Sequence, residues 1–478
     1  MKKVAIHTLG CKVNSYESES MEQLLRASGY DIVPFSEEEK ADIYIINTCS
    51  VTNIADRKSR QMLHKAKNMN PDSIVIACGC YVQANEEIVN TDDAVDIVVG
   101  NNSKINIVEV IEGYLKDHSK NAEVIDLSNN QDYEPLTIQQ ENLHTRAFIK
   151  IQDGCNQFCT YCIIPYTRGR IRSRKLVEII DEVKGIAQTG VKEVVLTGIH
   201  LCSWGKDTGE GDLIGVVEAL AKIDGIERIR LGSLEPRIIT EENVARMRAI
   251  DKLCPHFHLS LQSGCDEVLK RMNRHYTTEA FMDGVRILRK YYDDVALTTD
   301  IIVGFPAETD EEFEQTRLFL SQVNFYEMHV FKYSRRAGTI ADGMKDQIIE
   351  KVKTARSAVL LEMTKEQSGQ FRENHIGKSM PVLFEEIVDY KGQQYYSGHT
   401  VNYLKVYKKV DEKMGDQLGN QTCEKPSEHT GNQPGNQPGN QTGDQTGEQV
   451  CEQVTEENLI NQIVDVTIRE VEGDICFS

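Results

Sequence analysis

The stretch that decides the fold is residues 153–162, which read Asp153-Gly154-Cys155-Asn156-Gln157-Phe158-Cys159-Thr160-Tyr161-Cys162. It places three cysteines at C-x3-C-x2-C spacing in a loop that follows a predicted strand at 147–151. Three thiolates so close together on one loop can bind three corners of a cube-shaped iron–sulfur cluster. The motif has no fourth cysteine, so one iron would stay open to a further ligand. The stretch therefore predicts a cluster to which a small molecule can bind.

Two simpler interpretations of this loop are a three-ligand zinc site and a loop of unligated cysteines. A structural zinc ion usually has four Cys or His ligands, and no fourth ligand stands at a matching spacing here. The chain holds thirteen cysteines, and residues 1–7 lack the apolar core of a secretory signal. We expect a cytoplasmic protein, in which cysteines serve metal or redox chemistry rather than structural disulfides.

Strand-like and helix-like segments alternate on both sides of the motif, from residue 143 to residue 370. Strands are predicted at 194–196, 228–231, 256–261, 296–303 and 327–331, with helices at 176–189, 241–250 and 278–291. Five or six βα units over about 230 residues indicate a full or partial (β/α) barrel, whose active site lies at the C-terminal ends of the strands. The cysteine motif follows such an end.

A C-x3-C-x2-C motif that opens a (β/α) barrel resembles the radical S-adenosylmethionine superfamily, whose barrel is a partial TIM barrel. The resemblance implies that Cys155, Cys159 and Cys162 bind a [4Fe–4S] cluster. Its open iron would bind the amino and carboxylate groups of S-adenosylmethionine. One electron then cleaves the sulfonium to a 5′-deoxyadenosyl radical, which abstracts hydrogen from carbon. The resemblance also places Tyr161 near the adenine of this cofactor.

Residues 1–118 alternate shorter strands and helices, which indicates a doubly wound parallel sheet with helices on both faces. One cysteine follows each of the first three strands, at Cys11, Cys49 and Cys80. Because ligands gather at the C-terminal strand ends of such sheets, the three can converge although they are far apart in sequence. Cys78 can share a face with Cys80 and is the rival third ligand. Three buried structural cysteines are the simpler alternative.

The whole chain resembles the methylthiotransferase family, over nearly its full length. The flanks that carry this resemblance are Leu9-Gly10-Cys11-Lys12-Val13-Asn14, Asn47-Thr48-Cys49-Ser50-Val51-Thr52 and Cys78-Gly79-Cys80-Tyr81-Val82-Gln83. It implies that Cys11, Cys49 and Cys80 bind a second, auxiliary [4Fe–4S] cluster that carries the sulfur to be inserted, and that Cys78 is strand core. The implied reaction replaces a C–H bond with C–S–CH3, and a second S-adenosylmethionine donates the methyl group.

Residues 9–17 resemble the branch of the family that acts on N6-threonylcarbamoyladenosine in tRNA. The isopentenyladenosine branch has Gln-Met-Asn after the first cysteine, and the ribosomal-protein branch has Pro-Lys-Asn. The implied function is methylthiolation of this nucleoside at position 37, next to the anticodon. The implied partners are the tRNA anticodon stem-loop and an electron donor such as flavodoxin or ferredoxin. The alternatives are methylthiolation of isopentenyladenosine tRNA or of a ribosomal protein, and a non-catalytic iron–sulfur RNA-binding protein.

Five further polar residues lie at predicted strand ends of the barrel. The resemblance places His200 near the methionine end of the cofactor and Asp300 near its adenine. Ser233, Glu235 and Gln262 lie in the segments 232–236 and 260–264, whose glycines and small polar residues permit close approach of the backbone to a ligand. We expect these three residues to line the cofactor or substrate pocket. The simpler roles are a hydrogen-bonded loop histidine for His200 and a helix cap or turn for Asp300.

A basic run surrounds the cysteine motif. Its members are Arg146, Lys150, Arg168, Arg170, Arg172, Arg174 and Lys175, and Lys332, Arg335 and Arg336 follow the last predicted barrel strand. A solvated face is the usual explanation of a charge run. Arginine also favours phosphate, and we expect this rim to meet tRNA. The expectation contrasts with the net charge of −20, which argues against non-specific coating of nucleic acid.

Beyond residue 370, short strands separated by turns predict a small antiparallel β-barrel, which resembles a TRAM domain. Tyr390, Tyr395 and Tyr396 are expected to stack on RNA unless they are core residues. Residues 413–457 repeat Gly, Asn and Gln and are predicted to be a disordered insertion.

The predicted organisation is an N-terminal domain at 1–118, a linker at 119–142, a barrel at 143–370 and a TRAM-like domain at 371–478. No run of residues approaches the about 18 apolar residues of a membrane span, so no membrane partner is expected.

Overall fold

The structure is a computed structural model that describes residues 1–118, 122–129, 132–138, 145–410 and 458–478. The predicted insertion at 413–457 lies outside the described residues. In the described part of the chain, no helix combines the length and the apolar character that crossing a membrane requires.

The N-terminal region is a six-stranded parallel sheet with the strand order β2-β1-β3-β4-β5-β6. Its strands are β1 Lys3–Thr8, β2 Asp31–Ile32, β3 Ile43–Thr48, β4 Ile74–Gly79, β5 Ile97–Val99 and β6 Ala122–Glu123. Its helices are α1 Lys12–Ala27, α2 Asn53–Met69, α3 Cys80–Ala84, α4 Glu86–Asn90 and α5 Ile107–Asp117, with a 3-10 turn at Lys104–Asn106. Every residue of β3 is buried. A strand that is apolar on both faces must be covered by helices on both faces. A separate hydrophobic core lies on each face of this sheet.

The predicted linker contributes to this region. Strand β6 extends the sheet at its edge, and Leu136 and Ile138 are buried against Tyr16 of α1. The Tyr16 hydroxyl donates a hydrogen bond to the Leu136 carbonyl at 2.7 Å. A two-residue strand and an isolated pair of apolar residues are too short to produce a periodic pattern, which is why the sequence shows only a polar segment here.

The central region is the predicted partial barrel. Its parallel strands are β7 Arg146–Asp153, β9 Glu193–Gly198, β10 Arg228–Leu231, β11 His256–His258, β12 Ala296–Val303 and β13 Glu327–Lys332, and β8 Arg172–Ser173 runs antiparallel to β7. Single bridges, such as Leu234 to Leu259, join the β10 side to the β11 side. Among the described residues no ladder joins β13 to β7, so six parallel strands form an open barrel.

Helices pack on the outside of these strands. They are α6 Ile164–Thr167, α7 Leu176–Gln188, α8 Leu213–Leu220, α9 Glu241–Arg248, α10 Asp266–Arg271, α11 Thr278–Tyr291, α12 Asp310–Val323 and α13 Glu350–Glu373, with 3-10 turns at Leu201–Ser203, Pro236–Ile238 and Ile340–Gly343. The predicted strand at 256–261 is shorter than expected. After His258 the chain makes isolated bridges instead of a ladder, and Gln262 has a left-handed φ of 72°.

The C-terminal region is a six-stranded sheet with the strand order β17-β14-β15-β16-β19-β18. Its strands are β14 Ser379–Tyr390, β15 Gln393–Thr400, β16 Lys405–Lys409, β17 Ile463–Thr467, β18 Glu470–Glu472 and β19 Ile475–Phe477. All neighbouring pairs are antiparallel except β16 and β19. Tyr396 is a core residue beside Phe384, so its expected role in stacking on RNA is wrong.

This sheet covers the N-terminal ends of the barrel strands. Arg228, which begins β10, donates to the carbonyls of His399 at 2.9 Å and Pro381 at 2.8 Å. The Arg230 guanidinium lies 4.6 Å from the Tyr403 ring centroid and pairs with buried Glu193 at 3.0 Å. The opposite end of the barrel, where the cysteine motif lies, is therefore the end left for ligands.

Acid is expected to weaken the contact of the barrel with the C-terminal sheet through Glu193. Burial raises the pKa of Glu193, but Arg230 and Arg146 lower it by more, so the pKa is about 2 instead of 4.5. A carboxylate with a lower pKa in the folded than in the unfolded chain stabilises the fold above its unfolded pKa. This contribution, about 3 kcal/mol at neutral pH, should disappear as the pH falls from about 4.5 to about 2.

Urea unfolding of cluster-free protein at about pH 6 and about pH 3.5 checks this, with Glu193→Gln as the comparison. The wild type should lose about 1.4 kcal/mol more free energy of unfolding than the variant over this interval. Equal losses would contradict the prediction.

Candidate functional site

Residues 153–162, named the cluster loop here, begin at the C-terminal end of β7. Gly154 has φ +69°, and a Cβ atom there would lie 1.8 Å from the Arg170 carbonyl oxygen, so only glycine fits. The Cys155 amide donates to the Gly169 carbonyl at 3.0 Å, and the Cys162 amide donates to the Cys159 carbonyl at 3.0 Å. These backbone contacts wrap the loop so that its three cysteines face one space.

The cluster-loop thiols lie in a poorly solvated place. Burial, with a contribution from Cys159, raises the pKa of Cys155 to about 11 and of Cys162 to about 12. All eleven described cysteines are free thiols. Neutral thiols packed this way need a metal to become thiolates, because metal ligands must be deprotonated.

The sulfurs of neither cysteine triad are all as close together as the ligands of a single metal ion. Within the described ranges, the one group of three Cys, His, Asp or Glu ligand atoms that all lie within 4.8 Å of each other is His258, Asp300 and His329. Each cysteine triad is therefore more widely spread than the ligands of one ion. Thiolates that bind different iron atoms of a cube need this wider spacing.

Arg274 is a residue of this site that the sequence did not reveal. Its guanidinium donates to the Cys159 Sγ at 3.2 Å and to the Ser260 carbonyl at 3.0 Å, and it lies 5.0 Å from the Tyr276 ring centroid. No carboxylate among the described residues forms an ion pair with it. If Cys159 binds a cluster, a half-buried cation on its sulfur would stabilise the additional negative charge of the reduced cluster.

The Arg274→Met enzyme is expected to have a lower midpoint potential at the cluster-loop site, by about 60 mV, or tenfold in a one-electron equilibrium. The reason is the lost hydrogen bond to Cys159. A redox titration followed by electron paramagnetic resonance measures the shift. The control is Arg286→Met, because Arg286 is exposed and pairs with Asp283 on the same helix. Equal potentials in the three proteins would exclude this role of Arg274.

Cys11, Cys49 and Cys80, named the sheet-edge cysteines here, converge at the C-terminal ends of β1, β3 and β4. Gly10 has φ +103°, and a Cβ atom on it would lie 2.8 Å from the Cys49 Sγ. Glycine thus lets the β1 loop approach Cys49. Burial raises the pKa of Cys49 to about 11, and the nearby thiols of Cys80 and Cys11 add to the rise. The predicted convergence is what the structure has.

Cys78 faces away from this site. It is fully buried in the core on one face of the sheet, and its Sγ lies 3.6 Å from the Ile46 carbonyl oxygen. Among the sheet-edge cysteines, Cys49 and Cys80 are buried, whereas Cys11 is exposed. Burial is nevertheless the main reason that the pKa of Cys11 is raised, so Cys11 lines a recess rather than the outer surface.

Arg168 connects the two cysteine groups. It lies six residues beyond Cys162, and its Nε donates to the Cys80 Sγ at 3.3 Å. Its Nη2 donates to the Asn14 Oδ1 at 2.7 Å, and its Nη1 donates to the Glu17 Oε1 at 2.8 Å. One side chain from the barrel therefore touches a sheet-edge cysteine and two residues of α1.

A buried network of charges surrounds Arg168. Lys150 lies 2.7 Å from both Glu17 and Asp153, and Lys104 lies 3.0 Å from Glu17. Burial raises the pKa of Glu17, but Arg168, Lys104 and Lys150 lower it by more, and its pKa lies well below the ordinary value. The carboxylates are therefore ionised and tie α1 to the strand that precedes the cluster loop.

The expected basic rim is largely wrong. Lys150, Arg168, Arg172 and Arg174 are buried. Arg146 pairs with Glu193 and Glu385, and Arg336 with Asp56. Of the ten predicted cations, Arg170, Lys175, Lys332 and Arg335 remain exposed. A local charge run does not reveal acids such as Glu17, which lies 151 residues from Arg168 in sequence.

The other predicted residues have mixed surroundings. His200 is partly buried, is hydrogen-bonded to Ser203, and has a pKa lowered to about 4 by burial, so it is neutral at pH 7. Glu235 is mostly buried and pairs with Arg237, and its charge acts on both His200 and Cys155. Ser233 is exposed. The structure thus brings His200 and Glu235 to the cluster loop.

Tyr161, Gln262 and Asp300 were expected near the adenine, and they contact residues of the second half of the barrel. The Tyr161 ring packs edge-on against Phe305, with ring centroids 6.4 Å apart. The backbone N–H of Gln262 donates a hydrogen bond to the backbone carbonyl of Asp300 at 2.9 Å. Asp300 lies within β12 rather than at a cap or turn, 3.2 Å from the His258 Nε2.

Lys12 is the first residue of α1, and its side chain extends from that helix towards the barrel. Ala147, Ile149 and Ile151 of β7 pack against the outer helices, so the alternating residue Phe148 faces inward. The Lys12 Nζ lies 5.7 Å from the Phe148 ring centroid, and Lys12 is exposed. The exposed side chain still loses part of its hydration in the recess beside Phe148, and this desolvation, with the charges of Arg146 and Arg230, lowers the pKa of Lys12.

Two family models match the chain. Residues 149–320 match the Radical SAM superfamily, which includes the cluster loop. Residues 3–100 match the family described as "Uncharacterized protein family UPF0004", which includes the sheet-edge cysteines.

Curated relatives match over most of the chain. Threonylcarbamoyladenosine tRNA methylthiotransferase MtaB of Bacillus subtilis is 40% identical over 408 residues, which cover 85% of this chain and 90% of the relative. The protein of the same name from Thermotoga maritima is 39% identical, with 80% and 87% covered. A tRNA-2-methylthio-N(6)-dimethylallyladenosine synthase of Acetivibrio thermocellus is 36% identical, with 81% of each chain covered.

A solved structure shares the fold. The radical S-adenosylmethionine methyltransferase TsrM of Kitasatospora setae aligns with a TM-score of 0.53 at 13% identity, over 69% of this chain and 73% of that one. It confirms the expected α/β fold with its partial barrel. With relatives about 40% identical over nearly their whole length, the chain belongs to the MtaB-like family of radical S-adenosylmethionine methylthiotransferases.

Proposed function

We propose that this chain converts N6-threonylcarbamoyladenosine at position 37 of tRNA, next to the anticodon, to 2-methylthio-N6-threonylcarbamoyladenosine. The observation that carries the proposal is the pair of cysteine triads at the junction of sheet and barrel, in a chain 40% identical to an MtaB protein. As a radical S-adenosylmethionine enzyme, the chain uses S-adenosylmethionine and a [4Fe–4S] cluster.

The cysteines divide the chemistry. Cys155, Cys159 and Cys162 hold the cluster that binds S-adenosylmethionine, and the sheet-edge cysteines hold a second [4Fe–4S] cluster. When bound, the two groups supply reductive cleavage of S-adenosylmethionine and the sulfur that replaces the hydrogen on adenine C2. The convergence of each triad supports this assignment, and all six cysteines are free thiols.

Side chains around the cluster loop position the cofactor. Neutral His200 offers a ring nitrogen to the methionine end, and Glu235 lies beside it to accept a hydrogen bond from the cofactor amine. Tyr161, held by Phe305, and Gln262 and Asp300 form the adenine side. Ser233 is exposed at the rim of this pocket.

Enclosure of the site supports radical chemistry. The C-terminal sheet covers the far end of the barrel, and α1 with its charge network covers the near side of the cluster loop. A reactive carbon radical needs such exclusion of water and oxidants. The tRNA would contact exposed Arg170 and Lys175 together with Tyr390 and Tyr395, which lie beside Tyr407 and Phe477 on the C-terminal sheet. A flavodoxin or ferredoxin would supply the electrons.

Mass spectrometry of tRNA nucleosides from a deletion strain tests the substrate. The methylthio form of threonylcarbamoyladenosine should disappear and return with a plasmid copy of the gene. The methylthio form of isopentenyladenosine should be unchanged. Loss of that nucleoside instead, or turnover only of isopentenyladenosine RNA by the purified enzyme, would assign the chain to the substrate named for the Acetivibrio relative.

A further inference from the structure

The described charged residues that face the barrel interior are almost all paired, and Lys12, which follows Cys11 in sequence and contacts Phe148, is the exception. Arg146 and Arg230 share Glu193, and Arg228 donates to two carbonyls. Lys12 has no ion pair or side-chain hydrogen bond with any residue that the structure describes.

The position of Lys12 is defined from several sides. Its ammonium lies over the inward-facing Phe148 of β7 at 5.7 Å, and its charge acts on residues at the starts of four barrel strands. These residues are Arg146, Glu193, Arg230 and His256. Lys12 also follows Cys11 directly, so their Cα atoms are about 3.8 Å apart. The backbone of Lys12 therefore adjoins a sheet-edge cysteine, and its ammonium extends to the inward-facing Phe148 of the barrel.

We propose that Lys12 binds the carboxylate of the threonyl group of the substrate nucleoside. This inference rests on the proposed function. A threonine that is joined to N6 through its amine and a carbonyl keeps a free carboxylate. When adenine C2 faces the sheet-edge cysteines, the N6 substituent extends from the same base, within the reach of a flexible lysine chain next to Cys11.

A carboxylate fits this cation better than an RNA phosphate does. A nucleoside whose base is turned into the barrel would bring its N6 substituent, and not its backbone phosphate, to the Phe148 ring that Lys12 contacts. An unpaired cation in a partly desolvated space gains most from a charged partner, since charge-assisted hydrogen bonds are the strong ones. An apolar isopentenyl group would leave the ammonium without a partner, so Lys12 would also select against that substrate.

Steady-state kinetics on two anticodon stem-loop RNAs test the proposal. One RNA carries N6-threonylcarbamoyladenosine, and the other carries the same nucleoside with its carboxylate converted to a primary carboxamide. The wild type should have a KM about 10- to 100-fold higher for the carboxamide RNA, with little change in kcat. Lys12→Met should raise the KM for the natural RNA by a similar factor and discriminate no longer between the two RNAs. Lys12→Arg should recover most of the affinity.

The matched control is Lys184→Met, which removes an exposed lysine on α7 and should leave both KM values unchanged. Iron content and 5′-deoxyadenosine formation in the Lys12 variants should equal those of the wild type. Equal KM values of the wild type for the two RNAs would overturn the proposal without any variant. If Lys12→Met raised the KM for both RNAs by the same factor, the proposal would also be overturned. Lys12 would then contact a phosphate or act at the cluster. A wild type inactive on both RNAs would overturn the proposed function itself.

Discussion

The enzyme with Cys11, Cys49 and Cys80 all replaced by alanine is expected to cleave S-adenosylmethionine at close to the wild-type rate and to form no methylthio product. The cluster loop, with Arg274 on Cys159, is built without these cysteines, so the cleavage site remains. Iron should fall from about eight to about four atoms per chain, because the proposed second [4Fe–4S] cluster would be lost. Chromatography of 5′-deoxyadenosine and of RNA nucleosides measures the two activities separately.

The reciprocal variant should behave differently. Alanine at Cys155, Cys159 and Cys162 should also leave about four iron atoms but abolish cleavage as well as product. Cys78→Ala is the matched control, because Cys78 lies two residues from Cys80 but belongs to the sheet core. It should keep about eight iron atoms. If the Cys11, Cys49 and Cys80 variant kept all its iron, the assignment of a second cluster would be wrong.

The second large effect is expected from Arg168→Met. Arg168 is fully buried and pairs with both Glu17 and Asp153. Removing it leaves two buried carboxylates with less compensation, and breaking a buried pair in this way costs about 3–5 kcal/mol. We expect the free energy of unfolding of the cluster-free protein to fall by that amount, as measured by urea titration.

Lys175→Met provides the comparison, since Lys175 is exposed in the same basic run and should change stability by less than about 0.5 kcal/mol. A variant that combines Arg168→Met with Glu17→Gln also removes one of the two carboxylates left without Arg168. It should recover part of the lost free energy of unfolding. A loss below about 1 kcal/mol in Arg168→Met would show that water, and not the protein, compensates these carboxylates.

Sequence patterns predicted the parts of this molecule that depend on local order. The C-x3-C-x2-C spacing located the cluster loop, and apolar runs such as 43–46 located strands that are buried on both faces. The sheet-edge cysteines were also predictable, because parallel strands end at the same edge.

Contacts between distant segments were not predictable in this way. Arg274 lies 115 residues from Cys159, and Glu17 lies 133 residues from Lys150. The sequence around either residue does not indicate its partner. A contact between two side chains leaves no periodic pattern and no fixed spacing in the sequence. The same reason made a run of arginines resemble an exposed RNA surface although most of them are buried.

The charge network around Arg168 also limits how this family can exchange parts. Residues 1–118 supply Glu17 and Lys104, and the barrel supplies Lys150, Asp153 and Arg168. A chimera that takes either half from a relative with different residues at these positions would bury an unmatched charge. A functional chimera of two branches should therefore need all five residues from the same parent.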